Sequence, residues 1–598
     1  MNEMTWPAKP VPGLMDTLAE LAGELRFFDE PHAAAIDRRV RARLAELSNG
    51  FSMLQIALAW TDWASHLAIS PGKLWQLNEA LLAKLAALGV YNAGTLLGLK
   101  ARPPARLADN RLAGANWKRW PFSAMAQGWL VSKEYWQAAT DGVEGARPEN
   151  LELMAFVFKQ MLEAMSPANF AMTNPDVLEA TVRERGANLV RGLSHAAQDL
   201  RRRRDGGLPP GAEQYRVGEE VACTPGKVVY QNRLVELIQY APTTARVDAE
   251  PVFFVPAWIG KYYILDLSPQ NSMVRYLVGQ GKTVFMLSWK NPGPGDSMLG
   301  MEDYLALGVL EPLAVVNTIV PGRKVDAVGY CIGGTLLYIA AAHLAGPQER
   351  FNSLTIFAAQ ADFTEAGEIR ALLGESMFAQ LEALMHKRGG LKAAQMAGAF
   401  AALRSGDRIW GPAVDRYLLG KEPPMSELLA WNADGTRMPH RMHSQYLRAL
   451  YLDNDLAEGR FKVQGRTICV GDITAPIFVV GTVTDHVAPW KSVYRIHRLN
   501  AGDITFLLTT GGHTAGIVSG PVHPRRKHQI HTRKRGDRYT DPETWQAAVP
   551  VQDGSWWPVW VEWLKARSSG QANAPAMGAP RKGYRRLRDA PGDYVLMR

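Results

Sequence analysis

The spacing of hydrophobic positions changes about one third of the way along the chain. Up to about residue 205, apolar residues recur three and four apart, as in MDTLAELAGELRFF (15–28) and AAAIDRRVRARLAELSNGF (33–51). This spacing predicts amphipathic helices. Beyond that point, short β-branched apolar runs alternate with helical segments, which predicts a parallel sheet with helices on both faces. The pattern therefore predicts an α/β protein with a helical N-terminal domain (1–205).

The predicted catalytic domain (206–570) contains six apolar runs that are typical of buried strands. They cover residues 251–258, 282–289, 324–331, 353–361, 475–485 and 504–513. The interval 362–474 is too long for a simple connection between two of these strands, and it predicts a lid-like insertion. The charged, Gly/Pro-rich stretch 201–214 is typical of a linker, and 571–598 of a flexible basic tail.

Composition and charge limit the classes to which this protein can belong. Three cysteines, Cys223, Cys331 and Cys469, cannot all pair with one another, which favours a reducing compartment with free thiols. The N-terminus lacks the pattern of a secretory signal, and without an apolar run of about 18 residues we expect no transmembrane segment. The net charge is +9, but no zinc-finger or RNA-binding signature accompanies it, so nucleic acid is not an expected partner.

The stretch KVDAVGYCIGGTLLYIAAAHLAG, residues 324–346, places Cys331 between a predicted strand and a predicted helix. A G-x-[SC]-x-G match in this context predicts a sharp turn that lifts a nucleophile clear of the sheet. Gly329 and Gly333 lie where a side chain would collide as strand and helix pack. The turn also leaves the amide of Ile332 free to bind an oxyanion.

Such a nucleophile needs an acid and then a base at the ends of later strands. Asp485 and His513 each follow a predicted strand, and the order Cys331, Asp485, His513 is that of the α/β-hydrolase fold. Each position also has an alternative interpretation. Cys331 could be a buried structural thiol, and His513 could be a histidine of the core. Asp485 could merely cap the segment that follows it, with His486 as the base instead. A structural role is predicted for both Cys223 and Cys469, because neither lies at such a turn.

Cysteine in place of the usual serine favours one kind of chemistry. Attack by a thiol on a thioester gives another thioester, so the acyl group remains activated for a second transfer to a hydroxyl. The residue therefore favours acyl transfer from thioesters, although cysteine hydrolases also exist on this fold.

Several long segments carry a resemblance to a known family. They are GYCIGGT, TPGKVVYQNRLVELIQYAPTT, WIGKYYILDLSPQNSMVRYLVGQGKTVFMLSWKNP, GRTICVGDITAPIFVVGTVTDHVAPW and GSWWPVWVEWL. With these segments the chain closely resembles the polyhydroxyalkanoate synthases, specifically the single-subunit short-chain class (class I).

The resemblance implies polymerisation of (R)-3-hydroxyacyl-CoA, such as 3-hydroxybutyryl-CoA, into polyester with release of CoA. It implies that Cys331 accepts the acyl group, that His513 is the general base, and that Asp485 orients His513 and helps to activate the 3-hydroxyl. The amides of Ile332 and Ile259 would form the oxyanion hole. Asp266 and Trp431 match supporting positions of the family.

The resemblance also implies where the protein acts and with what. It implies a homodimer at the surface of cytoplasmic polyester granules, in contact with the growing chain and with phasin-type granule proteins. Neither a cofactor nor a metal is expected, because CoA belongs to the substrate and the product. One departure from the family is WNADGTRMPHRMHSQYLR (431–448), which is less aromatic than usual. Since it lies in the predicted insertion, substrate access or chain-length preference is where a difference is expected.

A basic run, PRRKHQIHTRKRGDR (524–538), follows His513. Two interpretations stay open: a solvated loop, or a loop at the sheet edge that attracts or holds the CoA phosphates. The residues concerned are Arg525, Arg526, Lys527, Arg533, Lys534 and Arg535.

Two other functions fit parts of the sequence. A cysteine acyl-CoA thioesterase or a polyester depolymerase on the same fold would share the triad, but the helical N-terminus and the SWWPVWVEWL segment disfavour both. An inactive granule-coat protein is disfavoured by the complete triad.

Overall fold

The structure is a computed structural model that describes residues 30–48 and 50–598. The helix predicted for 15–28 lies outside the described residues. The described N-terminal region is helical, as predicted, with helices at Glu30–Leu47, Met53–Ala68, Pro71–Leu96, Phe122–Thr140, Pro148–Ala164, Pro175–Arg183 and Ala187–Asp205. Aromatic rings join three of these helices, because Trp63 packs against Trp136 and Phe158 at centroid distances of 6.3 and 5.2 Å.

The catalytic region is built on one large mixed sheet. In the described part of the chain its strands are β1 (Gly226–Gln231), β2 (Val235–Tyr240), β3 (Val252–Val255), β4 (Val284–Trp289), β5 (Val325–Tyr330), β6 (Phe351–Phe357), β7 (Ile477–Thr482), β8 (Ile504–Thr509), β9 (Lys527–Arg533), β10 (Gln552–Asp553) and β11 (Arg588–Asp589). Their order across the sheet is β10-β9-β8-β7-β6-β5-β3-β4-β2-β1-β11. The strands β4, β3, β5, β6, β7 and β8 are parallel, and they coincide with the six predicted runs.

The flanking strands are antiparallel and were not predicted. The strand β9 contains the charged KHQIHTR, whose polarity is typical of a loop, and only pairing with β8 makes it a strand. Similarly, β2 is buried throughout despite containing Glu236 and Gln239. Local pattern does not reveal these strands, because their polar residues obscure the alternation and their pairing with neighbouring strands defines them.

Helices cover both faces of the sheet, and each face has its own apolar core. The covering helices are Met273–Gly279, Met301–Leu305, Glu311–Ile319, Ile332–His343, Trp490–Tyr494, Ile496–Leu499, Pro542–Ala548 and Trp557–Lys565. In the last of these, Trp557 and Trp560 are fully buried beside Trp556. The fold is that of the α/β hydrolases, as predicted.

The segment 362–474 separates β6 from β7 and is called the insertion below. Its α-helices are Glu368–Leu372, Glu375–Arg388, Ala393–Leu403, Gly411–Ala413, Glu427–Ala433 and His440–Tyr446. The N-terminal helices hold the insertion through polar contacts. Gln160 Nε2 donates to the Ala402 carbonyl at 2.9 Å, and the Gln55 side chain accepts from the Met377 amide at 3.1 Å.

Two expectations about irregular segments were wrong. Residues 571–598 pack on the sheet, since β11 pairs with β1 and Tyr594 and Val595 are buried. The linker expected at 201–214 is helical as far as Asp205. Within residues 30–48 and 50–598, no helix is both long and apolar enough to cross a membrane.

Candidate active site

Cys331 lies at a sharp turn between β5 and the helix Ile332–His343. Its φ of 54° is in the left-handed region, which is strained for a residue with a side chain and typical of a nucleophile at such a turn. The close approach of backbone segments requires the flanking glycines. A Cβ at Gly333 would lie 2.3 Å from the Val255 carbonyl oxygen, and one at Gly329 would lie 2.4 Å from Cα of Gly334.

Asp485 and His513 meet at the same edge of the sheet. Nδ1 of His513 lies 2.8 Å from Oδ2 of Asp485. The other carboxylate oxygen accepts the amides of Val487 and Ala488 at 2.8 and 2.9 Å, so the carboxylate is fixed in place. The loop after β7 thus holds Asp485, and the loop after β8 holds His513.

The pair shifts the pKa of each partner. Burial lowers the pKa of His513, but the charge of Asp485, its hydrogen bond and the neighbouring Tyr330 and Cys331 together outweigh burial and raise the pKa well above the ordinary value. Burial raises the pKa of Asp485, yet the charge and hydrogen bond of His513 and the two backbone amides lower it overall. The side chain of His513 is 14% exposed, so part of the imidazole remains accessible.

The structure favours His513 over His486 as the base. His486 follows Asp485 directly, but the Asp485 carboxylate is hydrogen-bonded to His513. Nδ1 of His486 has no hydrogen-bond partner among the described residues. Burial lowers the pKa of His486. Tyr330 stacks on the His513 ring at a centroid distance of 5.5 Å, and its hydroxyl donates to the His513 carbonyl at 3.4 Å.

The two expected oxyanion donors flank Cys331 from different segments. Ile332 is the first residue of its helix, and amides in the first turn have no partner within a helix. Ile259 follows β3, and its carbonyl accepts the Thr436 amide at 3.4 Å. Both residues line the same cavity as Cys331.

That cavity has a volume of about 540 Å³ and is largely apolar. Its walls come from three parts of the chain: the sheet edge with Cys331, the insertion, and the N-terminal region through Gly50 and Phe51. Four polar residues of the insertion, Gln395, His443, Tyr446 and Tyr451, also line it. We did not identify these residues, or Phe51, from the sequence. The only signal was the altered segment 431–448, which contains His443 and Tyr446.

Asp266 and Trp431 do not line this cavity. Asp266 is buried and accepts hydrogen bonds from the hydroxyls of Thr224 and Ser272, so it stabilises a distant turn. Trp431 lies closer, because its Nε1 donates to the Lys261 carbonyl at 2.8 Å beside the loop that holds Ile259. A substrate-binding role for Asp266 is therefore not supported by its position.

The basic run does not form one loop at the sheet edge, so this expectation was wrong for half of its residues. Strand β9 carries the run across the sheet, and Arg533, Lys534 and Arg535 lie at the opposite end from His513. Arg525 and Lys527 are exposed near the His513 loop.

Arg526 differs from both, because its guanidinium is turned inward. Burial lowers its pKa, and it donates to the carbonyls of Thr510 and Ala515 and to the Ser519 hydroxyl. These acceptors belong to the loop that holds His513, so Arg526 stabilises that loop.

Fold and site together define a protein of the α/β-hydrolase class with cysteine at the nucleophile position. Family models agree: residues 31–73 match "Poly-beta-hydroxybutyrate polymerase N terminal", 108–277 match "Poly-beta-hydroxybutyrate polymerase (PhaC) N-terminus", and 250–519 match "alpha/beta hydrolase fold".

Similar curated proteins are poly(3-hydroxyalkanoate) polymerases. The chain is 37% identical to the polymerase of Methylorubrum extorquens over all of both chains. It is 37% identical to the polymerase subunit PhaC of Rhizobium meliloti, with 88% of this chain and 86% of that protein covered. Identity to the subunit of Cupriavidus necator is 32%, covering 89% and 90%. The chain belongs to the class I polyhydroxyalkanoate synthases, which are acyltransferases that polymerise hydroxyalkanoates.

Proposed function

We propose that this protein polymerises short-chain (R)-3-hydroxyacyl-CoA, such as 3-hydroxybutyryl-CoA, through a thioester on Cys331, with release of CoA. One observation carries the proposal. The cysteine turn, which lines the apolar cavity, and the Asp485–His513 pair lie at one edge of one sheet. We expect no metal or cofactor to take part.

In the first step, the Cys331 sulfur attacks the thioester carbonyl of the substrate. His513 takes the thiol proton, and the amides of Ile332 and Ile259 stabilise the oxyanion. The bond to the CoA sulfur then breaks, and His513 returns the proton to the CoA thiolate. The acyl group remains a thioester, now on Cys331.

In the second step, the 3-hydroxyl of another hydroxyacyl unit attacks the acyl carbonyl on Cys331. His513 takes the hydroxyl proton, an ester bond forms, and the proton returns to the Cys331 sulfur as it leaves. Asp485 keeps Nδ1 of His513 occupied, so Nε2 is free for both proton transfers. A direct action of Asp485 on the hydroxyl is part of the proposal, although its engagement by two amides favours the orienting role.

The proposed location is the surface of cytoplasmic polyester granules, with the protein as a homodimer and phasin-type proteins beside it. Exposed apolar side chains of the N-terminal region support contact with an apolar surface: Trp75, Ile69 and Leu82 are among the most exposed. A growing polyester chain offers such a surface.

A thioesterase or depolymerase remains the alternative enzyme, and one assay separates the candidates. Purified protein is incubated with 3-hydroxybutyryl-CoA while CoA release and turbidity are both followed. The proposal predicts both signals. CoA release without insoluble polymer would indicate a thioesterase, and neither signal would indicate a non-catalytic protein.

A matched pair of cysteine variants shows whether Cys331 performs the reaction. Cys331→Ala should remove both signals, because no other group can form the thioester. Cys469→Ala should keep them, because Cys469 is exposed and does not line the cavity. Retained activity in Cys331→Ala would contradict the assignment.

A further inference from the structure

One wall of the cavity is formed by the helix His440–Tyr446 and the wider turns that continue it, Leu447–Leu452. His443, Tyr446, Leu447 and Tyr451 line the cavity from this wall. Their spacings of three, four and eight residues put them on one face. Two backbone hydrogen bonds fix this wall against the catalytic region. The amide of Arg441 donates to the Ser297 carbonyl, and the amide of Met442 donates to the Leu299 carbonyl.

His443 is a buried polar group without a protein partner. It is 6% exposed, and its Nδ1 has no hydrogen-bond partner among the described residues. Burial, with a smaller contribution from His440, lowers its pKa to about 4, so the imidazole is neutral near pH 7. A neutral imidazole offers one N–H donor and one acceptor.

Other polar side chains of the cavity are already engaged. Oγ1 of Thr335 donates to the Gln360 carbonyl at 2.8 Å, and Nε2 of Gln360 donates to the Ser492 hydroxyl at 3.0 Å. The side-chain oxygen of Gln395 accepts the Lys392 amide at 3.3 Å. Buried polar groups in proteins are nearly always hydrogen-bonded, yet no described residue hydrogen-bonds to either ring nitrogen of His443. Nδ1 is enclosed, so Nε2 is the nitrogen that a ligand in the cavity would contact. An Nε2 without a protein partner beside a ligand cavity indicates a partner that arrives with the ligand.

We propose that His443 binds an oxygen atom of the acyl chain in this cavity and thereby selects oxygenated acyl chains over saturated ones. The inference rests on the proposed function, because it assumes that the acyl chain of a CoA thioester enters the cavity. Two oxygens share the required chemistry: the 3-hydroxyl of a hydroxyacyl unit and the ester carbonyl of a chain that has already grown.

Selection follows from what a saturated chain would do to this site. An alkyl chain would exclude water from the imidazole and offer it no hydrogen bond, and a buried polar group left unpaired is costly. An oxygenated chain avoids that cost. A core histidine without this role would instead affect every acyl-CoA alike when replaced.

The test compares substrates within one preparation, so the fraction of folded protein cancels. For the hydroxyl, the second-order rate constant for CoA release in the first turnover is measured with 3-hydroxybutyryl-CoA and with butyryl-CoA, and the ratio of the two is taken, because a saturated acyl-enzyme has no hydroxyl for the second step. For the ester, the same ratio is measured with the CoA thioester of the 3-hydroxybutyrate dimer and octanoyl-CoA, whose chains have similar length. Both ratios are measured in the unaltered protein, His443→Phe and His443→Gln.

A matched control is His440→Phe, since His440 lies on the same helix but does not line the cavity. We expect His443→Phe to lower at least one ratio about five-fold or more, the effect of roughly one buried hydrogen bond. His443→Gln should retain most of the ratio, because its amide can replace the imidazole, and His440→Phe should leave both ratios unchanged.

The arms identify the oxygen. A change in the first ratio assigns the 3-hydroxyl of the first unit, and a change in the second alone assigns an oxygen beyond that unit, either the ester carbonyl or the terminal hydroxyl of the dimer. Unchanged ratios in His443→Phe would overturn the inference while leaving the proposed function intact. If the unaltered protein releases no CoA from 3-hydroxybutyryl-CoA, the proposed function itself fails, and the inference fails with it.

Discussion

The carboxylate of Glu46 lies 2.9 Å from Nζ of Lys387, and this ion pair joins the first described helix to the insertion. Arg388 adds a second contact to the same carboxylate at 3.0 Å. Exposed ion pairs contribute little to stability, but these fix the position of the chain that follows. That chain includes Phe51, which lines the cavity with Cys331. The N-terminal region is therefore part of the site's wall.

Phe51 should contribute to binding of the acyl chain. In Phe51→Ala, we expect the KM for 3-hydroxybutyryl-CoA to rise about three- to ten-fold, since apolar contact area is lost from the cavity wall. Leu54→Ala is the matched control, because Leu54 lies on the next helix, is exposed and does not line the cavity. Equal effects of the two variants on KM would show that Phe51 does not contact substrate.

The Asp485–His513 pair should make stability depend on pH in a defined direction. The pKa of His513 is raised in the folded protein, so its contribution is fully present below the unfolded pKa of about 6.5 and is lost as pH rises through the raised value. Unfolding free energies of the unaltered protein and His513→Gln, measured by denaturant from pH 6 to pH 10, should therefore converge as pH rises. A difference that grows with pH would contradict the sign of the shift.

Asp485→Asn should separate the two chemical steps. The thiol of Cys331 needs less help from a base than a hydroxyl does, so acylation should persist while elongation falls by roughly a hundred-fold or more. Rapid-quench measurement of CoA release and of protein-bound acyl groups should then show accumulated acyl-enzyme. Equal losses in both steps would rule out a demand specific to the hydroxyl.

The basic run offers a test with an internal control. Neutralising the exposed Arg525 and Lys527 with glutamine should raise the KM for acyl-CoA several-fold at low salt, and the effect should shrink as salt rises, if these residues attract the CoA phosphates. The double variant Lys534→Gln/Arg535→Gln, at the opposite end of the sheet, should leave KM unchanged. An equal response of both pairs would mean that only net charge matters.

The C-terminal segment should stabilise the fold through Glu236. This carboxylate is fully buried and accepts the amides of Asp593 and Tyr594, both at 2.9 Å, and Nη1 of Arg588 at 3.1 Å. Glu236→Ala leaves the amides of Asp593 and Tyr594 without their acceptor, which should cost about 1–3 kcal/mol of unfolding free energy.

Asp589→Ala provides the comparison for that measurement. Asp589 pairs with Lys227 on the exposed edge, so its removal should change the unfolding free energy by less than about 1 kcal/mol. If Glu236→Ala changed the unfolding free energy as little as Asp589→Ala, the C-terminal segment would not depend on the Glu236 carboxylate.

Much of the architecture and the central chemistry were determined by the sequence itself. The six parallel strands are buried on both faces, so each is a continuous apolar run that local pattern identifies. The sequence also predicted the turn at Cys331, because the close approach of backbone segments there requires glycine at positions 329 and 333. Asp485 and His513 follow such strands directly, and parallel strands bring their carboxyl ends to one edge.

Only the tertiary structure decided which other residues surround the nucleophile. Strand β9 and the C-terminal segment are polar locally and become part of the sheet only by pairing, β9 with the preceding strand β8 and the C-terminal segment with the distant β1. Phe51 and His443 reach the cavity because helices from two other regions pack over the sheet edge. No local spacing records such packing, since it depends on contacts between segments hundreds of residues apart. The sequence alone therefore placed the three proposed reacting groups at one edge of the sheet, and the packing of the N-terminal region and the insertion determined the cavity beside them.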